Sequence, residues 1–167
     1  GLTVLALTRQ IGLLHERISP VGALSAQAKI EVGDRAPELT LEDLQGRPVR
    51  IGGASDDGSR TLLFFSSPTC PVCETLLPTV ERVARTEVPR VRVVLASDGE
   101  PAKHRAFVEA KKLAHLPYVL SGPLGISYGV AKLPYAVLID EDGVVASRGL
   151  VNTREHLESL IEAMDSG

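Results

Sequence analysis

The chain has 167 residues, 44% apolar and 23% charged, which is ordinary for one globular domain and enough to bury a full core. A formal net charge of −3 gives no basis for binding nucleic acid or an anionic membrane surface. Two cysteines, three residues apart, exclude a disulfide-scaffold protein.

The chain opens Gly-Leu-Thr-Val-Leu-Ala-Leu before Arg9 interrupts. That run falls far short of the about 20 apolar residues that span a bilayer, and it lacks the basic flank and cleavage site of a signal peptide. Residues 1–18 are expected to form a helix, either the tail of a membrane-spanning helix or an amphipathic helix packed on its own domain or on a neighbour. Leu2, Leu5, Ile11, Leu13, Leu14 and Ile18 would then need cover, which a homodimer through this helix would supply. Ser19-Pro20-Val21-Gly22 ends the segment, and the small, weakly patterned residues 19–31 read as a linker. The folded domain is expected over residues 32–167.

Residues 37–41 and 47–51 read as the strands of a hairpin around Leu44-Gln45-Gly46. A Gly/Asp/Ser-rich loop follows over 52–59. Residues 60–66 contain the apolar run Leu62-Leu63-Phe64-Phe65, which is too short for a typical helix and reads as a buried strand. Residues 74–85 are amphipathic, with Leu76, Leu77, Val80, Val83 and Ala84 at helical spacing. Residues 91–96 form a β-branched strand. A helix is expected over 101–113, with Ala102, Ala106, Phe107, Ala110 and Leu113 inward. A short strand at 117–120 and a helical turn at 123–128 come next. Strands at 135–139 and 144–148 are joined by Asp140-Glu141-Asp142-Gly143, where Asp-Gly is a strong turn signal. Asn152 or Thr153 caps a last helix over 154–164, with Leu157, Leu160 and Ile161 facing in. The pattern is α/β with a mixed sheet.

Cys70-Pro71-Val72-Cys73 lies where the buried strand ends and the amphipathic helix begins. The first turn of a helix offers free N–H groups and the positive end of the macrodipole, and both favour a thiolate. Cys70, at the edge, is the candidate nucleophile. Cys73, one turn in, is the candidate resolving thiol. Pro71 suits the first helical position, where its missing N–H is not needed. A permanent structural disulfide is the competing reading. A zinc site would need two further ligands, but there is no other cysteine, and His15, His104, His115 and His156 show no ligand spacing. Glu38, Asp98, Glu100, Lys103, Lys111 and Lys112 read as solvated surface, and Tyr118 and Tyr128 as packing residues.

The Cys70–Cys73 motif, with Pro78 five residues later in the same helix and Leu133-Pro134 ahead of a buried strand, resembles the thioredoxin superfamily. The segment Val32-Gly33-Asp34-Arg35-Ala36-Pro37-Glu38-Leu39-Thr40-Leu41 resembles the N-terminal hairpin of its TlpA-like and peroxiredoxin-like branches. Arg9-Gln10-Ile11-Gly12-Leu13-Leu14-His15-Glu16-Arg17-Ile18, together with Ser66-Ser67-Pro68-Thr69-Cys70-Pro71-Val72-Cys73, resembles the MauD family of methylamine dehydrogenase accessory proteins. The resemblance implies a thioredoxin-like fold: a central mixed β-sheet flanked by helices, with an N-terminal β-hairpin and an N-terminal helical extension. It implies thiol–disulfide oxidoreductase activity on protein substrates through Cys70 and Cys73, with no cofactor beyond that redox-active disulfide. Pro134 would be cis and face the disulfide, exposing backbone to an extended substrate segment. Leu133 would line the substrate groove, with Pro71 and Thr69 at its rim; many relatives carry Trp at the Thr69 position. The implied partners are a protein client and a redox partner, either a membrane thiol transporter or a disulfide donor. The implied place is the periplasm, on an inner-membrane anchor preceding the domain.

Two departures from the family pattern stand out. Thioredoxins carry a buried Asp in the strand before the motif, where this chain has Leu63-Phe64-Phe65. TlpA-like reductases often carry a Glu one turn after the second cysteine, where this chain has Leu76. The nearest carboxylate, Glu74, reads as solvated. Pro-Val between the cysteines is neither the oxidant nor the reductant arrangement, so a potential of about −150 to −220 mV is expected. Two other functions remain as alternatives. One is a thiol peroxidase of peroxiredoxin type, because Ser67-Pro68-Thr69-Cys70 resembles the peroxidatic spacing. The other is a non-catalytic, membrane-tethered assembly factor.

Overall fold

Leu62, Leu63 and Phe64 are all fully buried, so consecutive side chains on both faces of this strand are shielded from water. A strand of that kind belongs in the middle of a sheet with both faces covered. The computed structural model describes residues 30–87 and 90–166 and places it there. Strand β3 (Arg60–Phe65) pairs in parallel with β4 (Val91–Ser97) and antiparallel with β6 (Tyr135–Ile139). Strands β5 (Tyr118–Leu120) and β7 (Val145–Leu150) complete a mixed sheet of order β5-β4-β3-β6-β7. The expected hairpin is present as β1 (Leu39–Glu42) and β2 (Pro48–Ile51), a separate two-stranded sheet. The helices are α1 (Pro71–Thr86), α2 (Pro101–Lys111), α3 (Gly122–Ser127) and α4 (Arg154–Ser166).

Each sheet face has its own core. On one, Leu62 and Phe64 meet Leu76, Leu77 and Val80 of α1, Val108 of α2, and Leu157 and Ile161 of α4. On the other, Leu63 and Phe65 meet Leu124 of α3, Tyr128, and Val49 and Ile51 of the hairpin. Three helices therefore cover one face; α3 and the hairpin cover the other. The Tyr128 hydroxyl donates to the Pro37 carbonyl at 2.6 Å, and burial raises its pKa above the ordinary 10.0.

Turn chemistry fixes the β6–β7 connection as the sequence predicts. The Asp140 carboxylate accepts from the Asp142 and Val144 N–H groups at 2.9 and 3.0 Å. Gly143 has φ +82°, and a Cβ there would lie 2.6 Å from the Gly53 carbonyl carbon, so no other residue fits without displacing backbone. Thr153 Oγ1 accepts from the His156 N–H at 3.1 Å and is thus the cap of α4.

The inner side of α2 differs from the expected one. Ala102, Ala106 and Ala110 are exposed, Phe107 is half-buried, and the buried residues are His104 and Val108. The helix ends at Lys111, so Leu113 is buried just beyond it. His104 can face the core because both ring nitrogens are satisfied. Nε2 lies 2.7 Å from the Asp98 carbonyl, which can only accept, so Nε2 carries the hydrogen. Nδ1 then accepts from the Tyr118 hydroxyl at 2.8 Å. Burial pushes the Tyr118 pKa up to about 12, keeping that hydroxyl a donor.

The expected helix over 1–18 and most of the linker lie outside the described residues. The linker's last two residues are held: Ile30 packs against the second core and Glu31 pairs with Arg148 of β7 at 2.9 Å. Among the described residues no helix is long and apolar enough to cross a membrane.

Two stability predictions follow from these contacts. Tyr118→Phe leaves Nδ1 of His104 buried without a partner and should cost about 1–3 kcal/mol, read as a lower urea midpoint; an unchanged midpoint would contradict the pairing. Asp43, in the β1–β2 turn, is buried, which raises its pKa. The Arg47 and Gln45 N–H groups and the Arg47 guanidinium outweigh this and hold it below its ordinary 3.8. A lowered folded pKa contributes stability that is full above 3.8 and is lost as pH falls through the folded value. Asp43→Asn should therefore be less stable than the parent at neutral pH, with the gap narrowing on acidification; a gap that widens in acid would refute the assignment.

Candidate active site

The end of β3 is converted into the start of α1 within five residues, Ser66 to Cys70. The Ser66 N–H still bonds the Ala96 carbonyl of β4 at 2.9 Å, and the Cys70 N–H then closes a turn onto the Ser67 carbonyl at 3.1 Å. Pro68 and Thr69 form that turn's centre. Cys70 is the N-cap of α1, with extended backbone (φ −98°, ψ 109°), and Pro71 takes the first helical position as expected.

Cys70 acts as the cap through sulfur. Its Sγ accepts the Cys73 N–H at 3.1 Å, taking the place that a Ser or Asp oxygen fills at most helix starts. The two cysteines are joined as a disulfide, with Cα atoms 5.2 Å apart. They are unequal in access: Cys70 is half-buried and Cys73 only 1% exposed. When the bond opens, negative charge on Cys70 Sγ meets this N–H and the positive helix end, an arrangement that lowers a thiol pKa. Of the two residues, only Cys70 presents surface to an incoming group.

Strand pairing brings in the second half of the site. Phe65 of β3 stands opposite Tyr135 of β6, so the register sets Pro134 beside Ser66, where the chain turns off towards Cys70. The Leu133–Pro134 bond is cis. Pro134 is buried, and its carbonyl accepts from the Val151 N–H at 2.9 Å. Leu133 is 41% exposed. Tyr135 is half-buried, its ring edge-on to Phe65 at 6.5 Å. Cys70, Cys73, Pro71, Leu133 and Pro134 thus gather at one end of the sheet. Thr69 is exposed there, its hydroxyl 3.1 Å from Ser67 Oγ.

Among the described residues no buried carboxylate replaces the two missing from the sequence pattern. Leu63, Phe64 and Leu76 are core residues. Glu74 is exposed and ion-paired with Lys111 at the end of α2. Among the described residues the only buried carboxylate is Asp43, which is committed to Arg47. Sequence reading missed Ile126 of α3, which stands 63% exposed on the same cavity as Leu133. Its position in a short helix gave no sign of that.

Comparison with known proteins agrees with this geometry. Residues 32–158 match the AhpC/TSA family. The chain is 49% identical over 169 residues to the methylamine utilization protein MauD of Paracoccus denitrificans, covering 100% of this chain and 84% of that protein. It is 28% identical over 146 residues to the thiol-disulfide oxidoreductase ResA of Bacillus cereus, covering 84% of this chain and 83% of that one. A peroxiredoxin-like protein from Aquifex aeolicus shares the fold at a TM-score of 0.66 and 22% identity, over 82% of this chain and 88% of the other. The chain belongs to the AhpC/TSA family as a thioredoxin-like thiol–disulfide oxidoreductase of the MauD group.

Proposed function

We propose that Cys70 is the nucleophile and Cys73 the resolving cysteine of a two-electron exchange with protein clients. The observation that carries this is the inequality of the two cysteines: Cys70 caps α1 through Sγ and is half-buried, whereas Cys73 is only 1% exposed. In the reducing direction, the Cys70 thiolate attacks a client disulfide and one client sulfur leaves as thiolate. Cys73 then attacks Cys70 Sγ and releases the second client thiol, leaving the 70–73 disulfide and a client dithiol. In the oxidising direction, a client thiolate attacks Cys70 Sγ, Cys73 leaves, and a second client thiol closes the client disulfide. No cofactor beyond the cysteine pair enters either balance. Leu133, Pro71 and Thr69 form the surface that receives the client segment, with Pro134 buried beneath it and its carbonyl already bonded to Val151.

The client class we propose is a disulfide-containing enzyme subunit under maturation, methylamine dehydrogenase by analogy with the MauD proteins. The likeness to MauD over the whole chain supports this reading. With it goes a periplasmic setting, with tethering or dimerisation through residues 1–18 and a thiol transporter or disulfide donor as redox partner.

In exchange assays with a disulfide-bearing client, Cys73→Ser should accumulate a mixed disulfide on Cys70 that the parent protein resolves, and Cys70→Ser should fall to background. Retained exchange in Cys70→Ser would remove Cys70 as nucleophile. Client maturation supported by Cys70→Ser without exchange would leave an assembly factor.

A further inference from the structure

Among the described residues, the only buried side-chain nitrogen or oxygen without a hydrogen-bond partner is Nε of Arg148, on β7. The guanidinium is otherwise engaged, with Nη2 donating to the Glu31 carboxylate at 2.9 Å. Glu31 and the Tyr135 hydroxyl both raise the Arg148 pKa, so its positive charge is permanent. Arg148 lines a cavity of about 310 Å³ at the end of the β6–β7 pair where Tyr135 stands opposite Leu150. Ile30, Tyr135 and Leu150 are its apolar walls, and Lys132 adds a second cation. Lys132 is exposed and, among the described residues, makes no ion pair or side-chain hydrogen bond. Glu31 is the one acidic residue on the lining, so two cations face one anion and a single positive charge is left over.

We propose that this cavity binds one carboxylate group, held between Arg148 and Lys132. Three features select that chemistry. Nε and Nη2 share one edge of a guanidinium, and a planar carboxylate accepts from both at once. Glu31 accepts from Nη2 alone, so an incoming carboxylate supplies the acceptor that Nε lacks and removes the cost of a buried unmet donor. Nη2 carries two hydrogens, so Glu31 need not leave, and the Arg148 side chain is 31% exposed, which keeps the guanidinium within reach. The surplus of one positive charge matches one carboxylate and falls short of a phosphate dianion. The apolar walls take the short hydrocarbon stem that an acidic side chain or a small organic acid carries. Two sources supply this group: an Asp or Glu of a protein exchanging with Cys70, and a free small carboxylate. Lys132 directly precedes Leu133, which brings the first source within reach of the client surface. The site itself does not depend on the roles given to Cys70 and Cys73; only the first source rests on them.

The test follows the arginine Nε–H signals of the isotope-labelled full chain by NMR while sodium acetate replaces sodium chloride at constant ionic strength. Arg148→Lys identifies the Arg148 signal by its loss. That signal should shift saturably with acetate, and Lys132→Gln should raise the half-saturating concentration about fivefold, as for loss of one partly exposed charge. A shift that does not saturate, or that Lys132→Gln leaves unchanged, would overturn the site. A second arm separates the sources. The reduced protein is given two peptides with blocked termini, each carrying one cysteine as a mixed disulfide with mercaptoethanol, flanked by Glu in one and by Gln in the other. A faster Glu peptide, whose advantage both acetate and Lys132→Gln abolish, assigns the site to the exchange partner. Equal rates beside a saturable acetate shift assign it to a free carboxylate. If neither peptide exchanges, the reading of Cys70 as nucleophile falls, and the acetate shift still decides the site.

Discussion

A strand shielded on both faces has no stable place at the edge of a sheet, and that constraint on β3 organises the molecule. Leu62 and Phe64 demand one covering layer, Leu63 and Phe65 another. Parallel pairing with β4 requires a crossover, which α1 supplies, and α1 must start where β3 stops. Antiparallel pairing with β6 brings the Leu133–Pro134 segment back to that same end. The cysteine pair and the Leu133–Pro134 segment come to the same end of the sheet because one buried strand has two different neighbours.

The chemistry then rests on a helix start capped by sulfur. An ordinary cap residue offers a permanent oxygen acceptor; Cys70 offers an acceptor whose charge changes with redox state. A thiolate at Cys70 would meet the N–H groups and positive end of α1, which stabilise it through the backbone. The ion pair of Glu74 with Lys111 lies outside the core, where solvent screens it. Cys73 is buried, and among the described residues the only buried carboxylate is Asp43 of the β1–β2 turn, unlike the arrangement its thioredoxin-like relatives lead one to expect.

Periodicity and motif spacing were enough to read β3, α1, the Asp140–Gly143 turn and the positions of both cysteines. Those features are local: alternation, caps and turn residues carry their own signatures. The inner face of α2 was not legible, because alanines at helical spacing look buried whereas His104 looks exposed. His104 is decided by a carbonyl at Asp98 and a hydroxyl on β5, partners that only the tertiary structure brings within reach. The cavity beside Leu133 was hidden for the same reason. Its walls come from β3, α3 and the segment before β6, and no single stretch of sequence carries its outline.

The pairing of β3 with β6 also orders events in time. A growing chain emerges from its N-terminus, so both cysteines appear before β4, α2, β5 and α3, and only then does β6 arrive to close the central sheet. Contacts so distant along the chain must wait for the intervening segments to be made. Until then Cys70 and Cys73 are thiols on an unfinished scaffold, without the wall that Leu133 provides. A newly made molecule therefore passes through an interval in which its own cysteines are as open to wrong pairing as those of any client.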